Sequence, residues 1–296
     1  MWPGLAVHPD DARPRCPVAL IDFRPGPDAA RYLLAAEGKR VAFPFNVRWL
    51  LPALCGTDVA AWWVAWGLSW PVLAGSLVWW AHGLGASWPV ALSTAVLVVA
   101  LPGVLQPHST WPVGVDLPAL AVSALSAACF VNGQPVLGFV FAVWAVTIKE
   151  QAPVWIALWA WTPWPLLVLP LAGVAYLVRR PQIDSVTALP LLRRVHDHPV
   201  RSAFEHRKQA GGWRNFWLMA APWSVGLVAL LDPSAQLVVC LLVGYGALLV
   251  ATDTVRVYQP PAAPVVALVA CGVIPERWLP LALLPAVLWW RPPVLG

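Results

Sequence analysis

The chain has 296 residues, of which 59% are hydrophobic and 11% charged, with 21 tryptophans, 32 prolines and a formal net charge of +5. A charged fraction this far below the soluble average of about 25% excludes an ordinary cytosolic enzyme, a nucleic-acid-binding domain, a coiled coil and a disordered chain. The five cysteines are odd in number and three lie in apolar runs, which excludes a disulfide scaffold. The composition is typical of a polytopic membrane protein.

The first 57 residues are polar and contain two candidate surface helices. Asp28–Ala36 has a helical composition, and Asp28 and Tyr32 are four residues apart, so they share one helix face. Phe45–Leu54 predicts a second short helix at the membrane surface, directly before the first apolar run. We therefore expect acidic, aromatic and arginine side chains, Arg48 among them, to gather at that surface. The alternative is a solvated juxtamembrane tail whose charges face water.

A long apolar stretch follows, in which the 120 residues between Asp58 and Arg179 contain three charged side chains, Asp116, Lys149 and Glu150. A bilayer core about 30 Å thick needs roughly 20 apolar helical residues to cross it. The sequence predicts an all-α transmembrane bundle with about eight or nine membrane segments. In chain order they are Val59–Ala81, Ala86–Leu105, two helices within Leu117–Ile148 separated by a turn at Asn132–Pro135, Ala152–Val178 as one span or two half-helices about Thr162–Pro165, Phe216–Leu231, Pro233–Thr252, Val257–Pro275 and Trp278–Trp290.

A second polar region, Arg179–Arg214, holds eight Lys or Arg against three acidic residues, and the positive-inside rule predicts that it is cytoplasmic. Five spans between the two polar regions would put the N-terminal region on the opposite side, although that region carries seven basic residues of its own. A miscounted span would remove this conflict. The predicted division is an N-terminal juxtamembrane region at 1–57, transmembrane helices at 58–178, the basic loop at 179–214 and C-terminal transmembrane helices at 215–296.

Charged residues inside the apolar stretches are candidate site residues, because an ionisable group at membrane depth is costly unless it is paired or faces a wet cavity. Lys149 and Glu150 are adjacent, so on a helix they point about 100° apart and pair poorly with each other. The alternative places them in a short interfacial turn that anchors two helix ends. Asp116 and Asp253 lie at predicted helix borders, where an aspartate can also cap a helix, and Asp253 could pair with Arg256.

One group of metal-binding residue types lies in the basic loop, namely His196, Asp197, His198, Glu205 and His206. Its spacing fits no zinc signature, and a solvated loop or an amphipathic helix on anionic lipid is the favoured interpretation. The sequence contains no Walker loop, GxSxG, GxGxxG or CxxC motif, so nucleotide-driven pumping, serine hydrolysis and thiol redox chemistry have no support. We expect no cofactor, and a requirement for a divalent cation stays open.

The layout resembles the GT-C superfamily of integral-membrane glycosyltransferases, which use polyprenyl-phosphate sugars. The resemblance rests on the Asp-x-x-x-Tyr helix and on Pro-Phe-x-x-Arg-x-Leu-x-Pro at 44–52. Two further stretches are similar to bacterial members: Asp116-Leu-Pro-Ala-Leu with Lys149-Glu150 about 30 residues later, and Thr252–Arg256 before a late helix. The family has a transmembrane helix before its first external loop, and no apolar run precedes that loop here.

This resemblance implies a carboxylate general base that takes a proton from an acceptor hydroxyl while C1 of the sugar leaves the lipid phosphate. Asp28 matches the family's acid, with Asp22 in reserve. Arg48 and Arg256 are candidates for the lipid phosphate, because Arg can bind two oxygens at once. The candidate substrate-binding set also contains Tyr32, Asp116, Lys149, Glu150 and Asp253. The implied partners are a polyprenyl-phosphate sugar donor, membrane lipids and a lipid, glycan or protein acceptor, with no nucleic acid, in a bacterial-type inner membrane.

A second function class stays open, namely a non-enzymatic membrane protein that is a transporter, a lipid flippase or an accessory subunit. Transporters often contain an inverted repeat, and this sequence has no clear internal duplication. The two classes differ in where the charges lie. A transferase groups Asp28 with Arg48 or Arg256 over a groove at one membrane surface, whereas a transporter places its charges near the midplane.

Overall fold

The computed structural model describes residues 28–41, 45–100, 104, 112–179, 234–250 and 272–282, and every regular element within these ranges is helical. The helices are α1 (Ala29–Ala36), α2 (Leu50–Cys55), α3 (Val59–Gly83), α4 (Trp88–Ala100), α5 (Asp116–Val131), α6 (Pro135–Ile148), α7 (Ala152–Ala160), α8 (Leu169–Val178), α9 (Ala235–Val250) and α10 (Leu279–Ala282). Short 3₁₀ helices at Trp164–Val168 and Glu276–Trp278 lead directly into α8 and α10. The predicted all-α fold is confirmed for these ranges.

The two N-terminal helices form near their predicted positions, with one corrected boundary. α1 ends just before Gly38, whose φ of 74° is a left-handed conformation that suits glycine. α2 begins at Leu50 and not at Phe45 as predicted, and residues 45–47 form a turn. The reason is Pro52, which has no backbone N–H and is accommodated best within the first turn of a helix.

Two contacts define the directions of the central helices. Lys149, directly after α6, binds Asp116, the first residue of α5, with 2.5 Å between Nζ and Oδ1. Asn132, directly after α5, donates from Nδ2 to the carbonyl of Trp79 near the end of α3 at 3.2 Å. α5 therefore runs parallel to α3 and antiparallel to α6. We call the end that carries Asp116 and Lys149 the near end, and the end that carries Asn132 the far end.

Small side chains form the interface between α5 and α6. Gly138 of α6 faces Phe130 of α5, and a Cβ at position 138 would lie 2.7 Å from the Phe130 ring. Ser126 Oγ donates to the Gly138 carbonyl across the same interface at 2.6 Å. The buried alanines of the two helices are Ala119, Ala121, Ala124, Ala127, Ala128, Ala142 and Ala145. Such residues let two helix backbones approach closely enough for interhelical hydrogen bonds.

The run 152–178 folds as two half-helices that return to their starting end. α7 stops at Trp161, which has a left-handed conformation with φ 50° and ψ 47°. After α8, the carbonyl of Arg179 accepts a hydrogen bond of 3.0 Å from Asn46 Nδ2, and its guanidinium lies 5.8 Å from the Trp49 ring centre. Since α7 starts at the near end and Arg179 also lies there, this run does not pass the bundle as one span. The two-half-helix interpretation is confirmed.

One helix within the described ranges, α3, is long and apolar enough to cross a membrane, and 28% of its most apolar 18-residue stretch is buried. Shorter apolar helices lie at Trp88–Ala100, Asp116–Val131, Pro135–Ile148 and Trp164–Val178. Large apolar side chains on their outer faces are exposed, and Val64, Val136, Leu167 and Leu177 are all more than 60% exposed. Of the later predicted segments, Pro233–Thr252 contains α9 and Trp278–Trp290 contains α10, whereas Phe216–Leu231 and most of Val257–Pro275 lie outside the described residues.

Candidate functional site

A buried arginine is the centre of a charged cluster at the near end. Arg48 is 9% exposed and precedes α2. Its Nε donates to Glu150 Oε2 and its Nη2 to Glu150 Oε1, both at 2.8 Å. Its Nη1 donates to the hydroxyl of Tyr32 on α1 at 3.1 Å. Two parallel hydrogen bonds between a guanidinium and a carboxylate form the strongest kind of side-chain ion pair, so Arg48 joins the N-terminal segment to the helix bundle.

A second buried ion pair lies directly beside the first. Lys149 is 3% exposed, and its Nζ donates to Asp116 Oδ1. The same ammonium lies 5.1 Å from the ring centre of Trp155 on α7, a cation–π distance. Asp116 occupies the first turn of α5, where the helix dipole favours a negative charge.

The turn between α6 and α7 explains how two adjacent residues reach different partners. Lys149 ends α6 with an extended backbone, φ −149° and ψ 121°, and α7 begins at Ala152. Glu150 therefore points away from Lys149, toward Arg48. The expectation that the two do not pair with each other is confirmed, and so is their placement in a short turn. Both side chains are also ion-paired and largely buried, which goes beyond a simple helix anchor.

Tyr32 and Phe45 form the aromatic wall of the cluster. Tyr32 is 2% exposed, and its ring lies 5.2 Å from Phe45 edge-on and 6.1 Å from Trp62. Phe45 also lies 4.9 Å from the Arg31 guanidinium and 5.7 Å from that of Arg48. Burial raises the pKa of Tyr32 well above its usual value, so its hydroxyl keeps its proton at physiological pH.

Glu150 and Arg48 stay charged at neutral pH. Burial would raise the pKa of Glu150, but the hydrogen bonds and charge of Arg48 outweigh burial and lower it. Burial would likewise lower the pKa of Arg48, but Tyr32 and Glu150 outweigh it and the pKa is raised well above its usual value. The two cations, Arg48 and Lys149, meet the two carboxylates of Glu150 and Asp116, so the formal charge of these four residues is zero.

Asp28 lies at the rim of the cluster. It precedes α1, its side chain is 16% exposed, and its Oδ1 lies 3.4 Å from Nη1 of Arg31. Arg31 in turn lies against the ring of Phe45, which also contacts Tyr32 and Arg48. Asp28 is thus grouped with Arg48 through Arg31 and Phe45.

The structure therefore brings together six of the sequence-predicted site residues. They are Asp28, Tyr32, Arg48, Asp116, Lys149 and Glu150. Asp22, Asp253 and Arg256 lie outside the described residues, as does the His196–His206 group.

Three residues of the cluster are missing from the sequence prediction. Phe45 stands inside the Pro-Phe-x-x-Arg motif, and Arg31 follows Asp28 by three residues, so the neighbouring sequence could have identified both as site residues. Trp155 could not be identified in this way, because one tryptophan among 21 is not distinctive.

Across the ranges described above, no three His, Cys, Asp or Glu side chains converge as they do around a bound metal ion. No protein-family model, curated protein or solved structure matches this chain. The site consists of two adjacent ion pairs, Arg48–Glu150 and Lys149–Asp116, with the Asp28–Arg31 pair beside them.

Proposed function

We propose that the chain is a polytopic integral membrane protein. Its exposed apolar surface supports this proposal, because the core helix of a soluble protein is mostly buried, whereas 28% of the most apolar stretch of α3 is buried. α8 has ten residues with apolar character and none of them is buried. Several hydroxyl-bearing residues, Ser69, Ser76, Thr94, Ser123 and Ser126, are buried in the bundle instead, as is usual for helices packed in lipid.

In this proposal α3, α4, α5 and α6 cross the bilayer, and α7 and α8 enter it from the near end and return. The contact between Asn46 and Arg179 supports the return. The N-terminal segment and the start of the basic loop then share one side of the membrane, which replaces the five-span count that separates them.

We further propose that the near-end cluster belongs to a GT-C-like glycosyltransferase that moves a sugar from a polyprenyl-phosphate donor to a lipid, glycan or protein acceptor. The observation that carries this proposal is the position of the charges. They gather where helices end and the N-terminal segment docks, at a membrane surface, whereas a transporter needs them near the midplane.

Asp28 is the general base in the proposed reaction. The ion pair of Asp28 is a single contact of 3.4 Å with Arg31, which is 55% exposed, whereas Glu150 and Asp116 are paired with the buried Arg48 and Lys149. Asp28 takes the proton of the acceptor hydroxyl as its oxygen bonds to C1 of the sugar. The bond from C1 to the phosphate oxygen breaks, and its electron pair stays on the phosphate.

The test is sugar transfer in proteoliposomes that contain a panel of polyprenyl-phosphate sugars. Asp28→Asn keeps the size of the side chain and removes the base, so we expect the rate to fall about 10²–10⁴-fold. Asp58→Asn is the matched control, because Asp58 is an exposed cap of α3, where asparagine caps equally well. Full activity of Asp28→Asn would reject it as the base, and no transfer by the wild-type protein with any donor would favour the non-enzymatic class.

A further inference from the structure

We infer that Arg48 is a positioning residue and not a ligand of the donor phosphate. Together with Glu150 it docks the N-terminal segment, residues 28–55, on the helix ends and thereby sets the place of Asp28. This inference goes beyond the proposed function and revises the role that the family resemblance implies for Arg48.

The hydrogen bonds of Arg48 argue against phosphate binding. Its Nε and Nη2 edge is occupied by both oxygens of Glu150, and its Nη1 donates to Tyr32. A phosphate that took the same edge would displace Glu150 and leave a buried carboxylate without its partner, which is costly.

The contacts instead form a chain from the bundle to α1. Asp116 of α5 holds Lys149, which fixes the turn after α6. The next residue in that turn, Glu150, holds Arg48, and Arg48 holds Tyr32. Tyr32 lies one helical turn after Asp28, so the position of the aspartate depends on every link.

Arg31 differs from Arg48 in the two properties that matter for an incoming anion. Its side chain is 55% exposed, against 10% for Arg48, and its ion pair with Asp28 is a single longer contact of 3.4 Å. An anionic substrate can therefore reach Arg31 without breaking a buried pair.

Hydrogen–deuterium exchange of the full chain in lipid nanodiscs tests the docking directly. In Glu150→Gln we expect amides of residues 29–55 to exchange about tenfold faster or more, with those of α5 and α6 unchanged. Glu276→Gln, the same change at an exposed glutamate, should match the wild type. Unchanged exchange at 29–55, or a uniform increase over all helices, would overturn the inference. Arg48→Lys, which keeps the charge and loses the two-point geometry, should give a smaller increase confined to 29–55.

A kinetic measurement separates positioning from phosphate binding, and it rests on the proposed function. In Arg48→Lys we expect kcat to fall about tenfold or more, while KM for the lipid-linked donor stays within about twofold. In Arg31→Lys the donor KM should rise. A higher donor KM in Arg48→Lys with wild-type exchange would show that Arg48 binds the phosphate. If the wild-type protein transfers no sugar, the proposed function fails, and the exchange measurement still decides the docking.

Discussion

Arg48 contacts two parts of the chain that are far from each other in sequence. Glu150 is 102 residues away and Tyr32 is 16 residues away. Removing one partner of a buried ion pair leaves the other charge uncompensated, which usually costs more than the pair contributes. Each charged side chain in the cluster is therefore stabilised only while its ion-pair partner is present.

The lowered pKa of Glu150 makes stability depend on pH. Because the folded pKa lies below the usual value of 4.5, the stabilisation is present above that value and is lost as pH falls through the lower folded pKa. We expect Glu150→Gln to lower the free energy of unfolding by about 3 kcal/mol at neutral pH. The difference from the wild type should shrink as the pH falls below 4.5. Thermal unfolding in detergent over this range measures it, and a difference that does not change with pH would contradict the assignment.

At the scale of helices, close approach between α5 and α6 depends on one position without a side chain. Gly138 packs against the Phe130 ring, and Ser126 reaches the Gly138 carbonyl across the interface. Any added carbon at 138 must move that ring, and interiors tolerate such overpacking poorly.

Gly138→Ala should therefore lower the free energy of unfolding by about 1–3 kcal/mol. Gly75→Ala is the matched control, because a Cβ at position 75 of α3 meets nothing within 4 Å. In a helix interior the control should be neutral or stabilising by up to about 1 kcal/mol. Equal melting temperatures for the two variants would contradict this prediction, because they would show that the α5–α6 interface accommodates an added methyl group at position 138.

How much the sequence predicts differs between local and distant features. The helix breaks at Asn132–Pro135 and after Ala160 follow from local chemistry, since Gly133 has a left-handed backbone and Pro135 and Pro163 stand at or just before the start of the next helix. The partners of Lys149 and Glu150 are distant, and they depend on how one extended residue orients the turn between α6 and α7. The sequence likewise leaves undecided whether residues 152–178 form one span or two half-helices. The break depends on the left-handed backbone of Trp161, which a hydrophobicity pattern does not show.

For the whole molecule, the proposed topology of residues 59–179 is four crossing helices followed by a hairpin that returns. The pairing of Asn46 with Arg179 supports it, because it holds the first polar region and the start of the second at the same end. Both regions are rich in basic residues, so the conflict with the positive-inside rule disappears when they share a side.

Cysteine labelling in intact cells tests this topology. In a background without the five native cysteines, single cysteines replace Ala12 and Ser202. We expect a thiol reagent that cannot cross membranes either to label both cysteines or to label neither. Protection of both places the shared side in the cytoplasm, as the positive-inside rule predicts, and labelling of both places it outside, as the GT-C resemblance predicts. Labelling of only one would contradict the hairpin.

The hydrogen bond between Asn46 and Arg179 also has a consequence for biosynthesis, because its two residues are 133 positions apart. Synthesis at about 5–20 residues per second separates their appearance by roughly 7–27 s. Throughout this interval the N-terminal segment lacks Arg179, and for most of it Arg48 lacks Glu150. The near end therefore assembles late, after α3 to α8 have been made. A nascent chain arrested before residue 150 should leave the 28–55 segment open to protease, and release past residue 179 should close it.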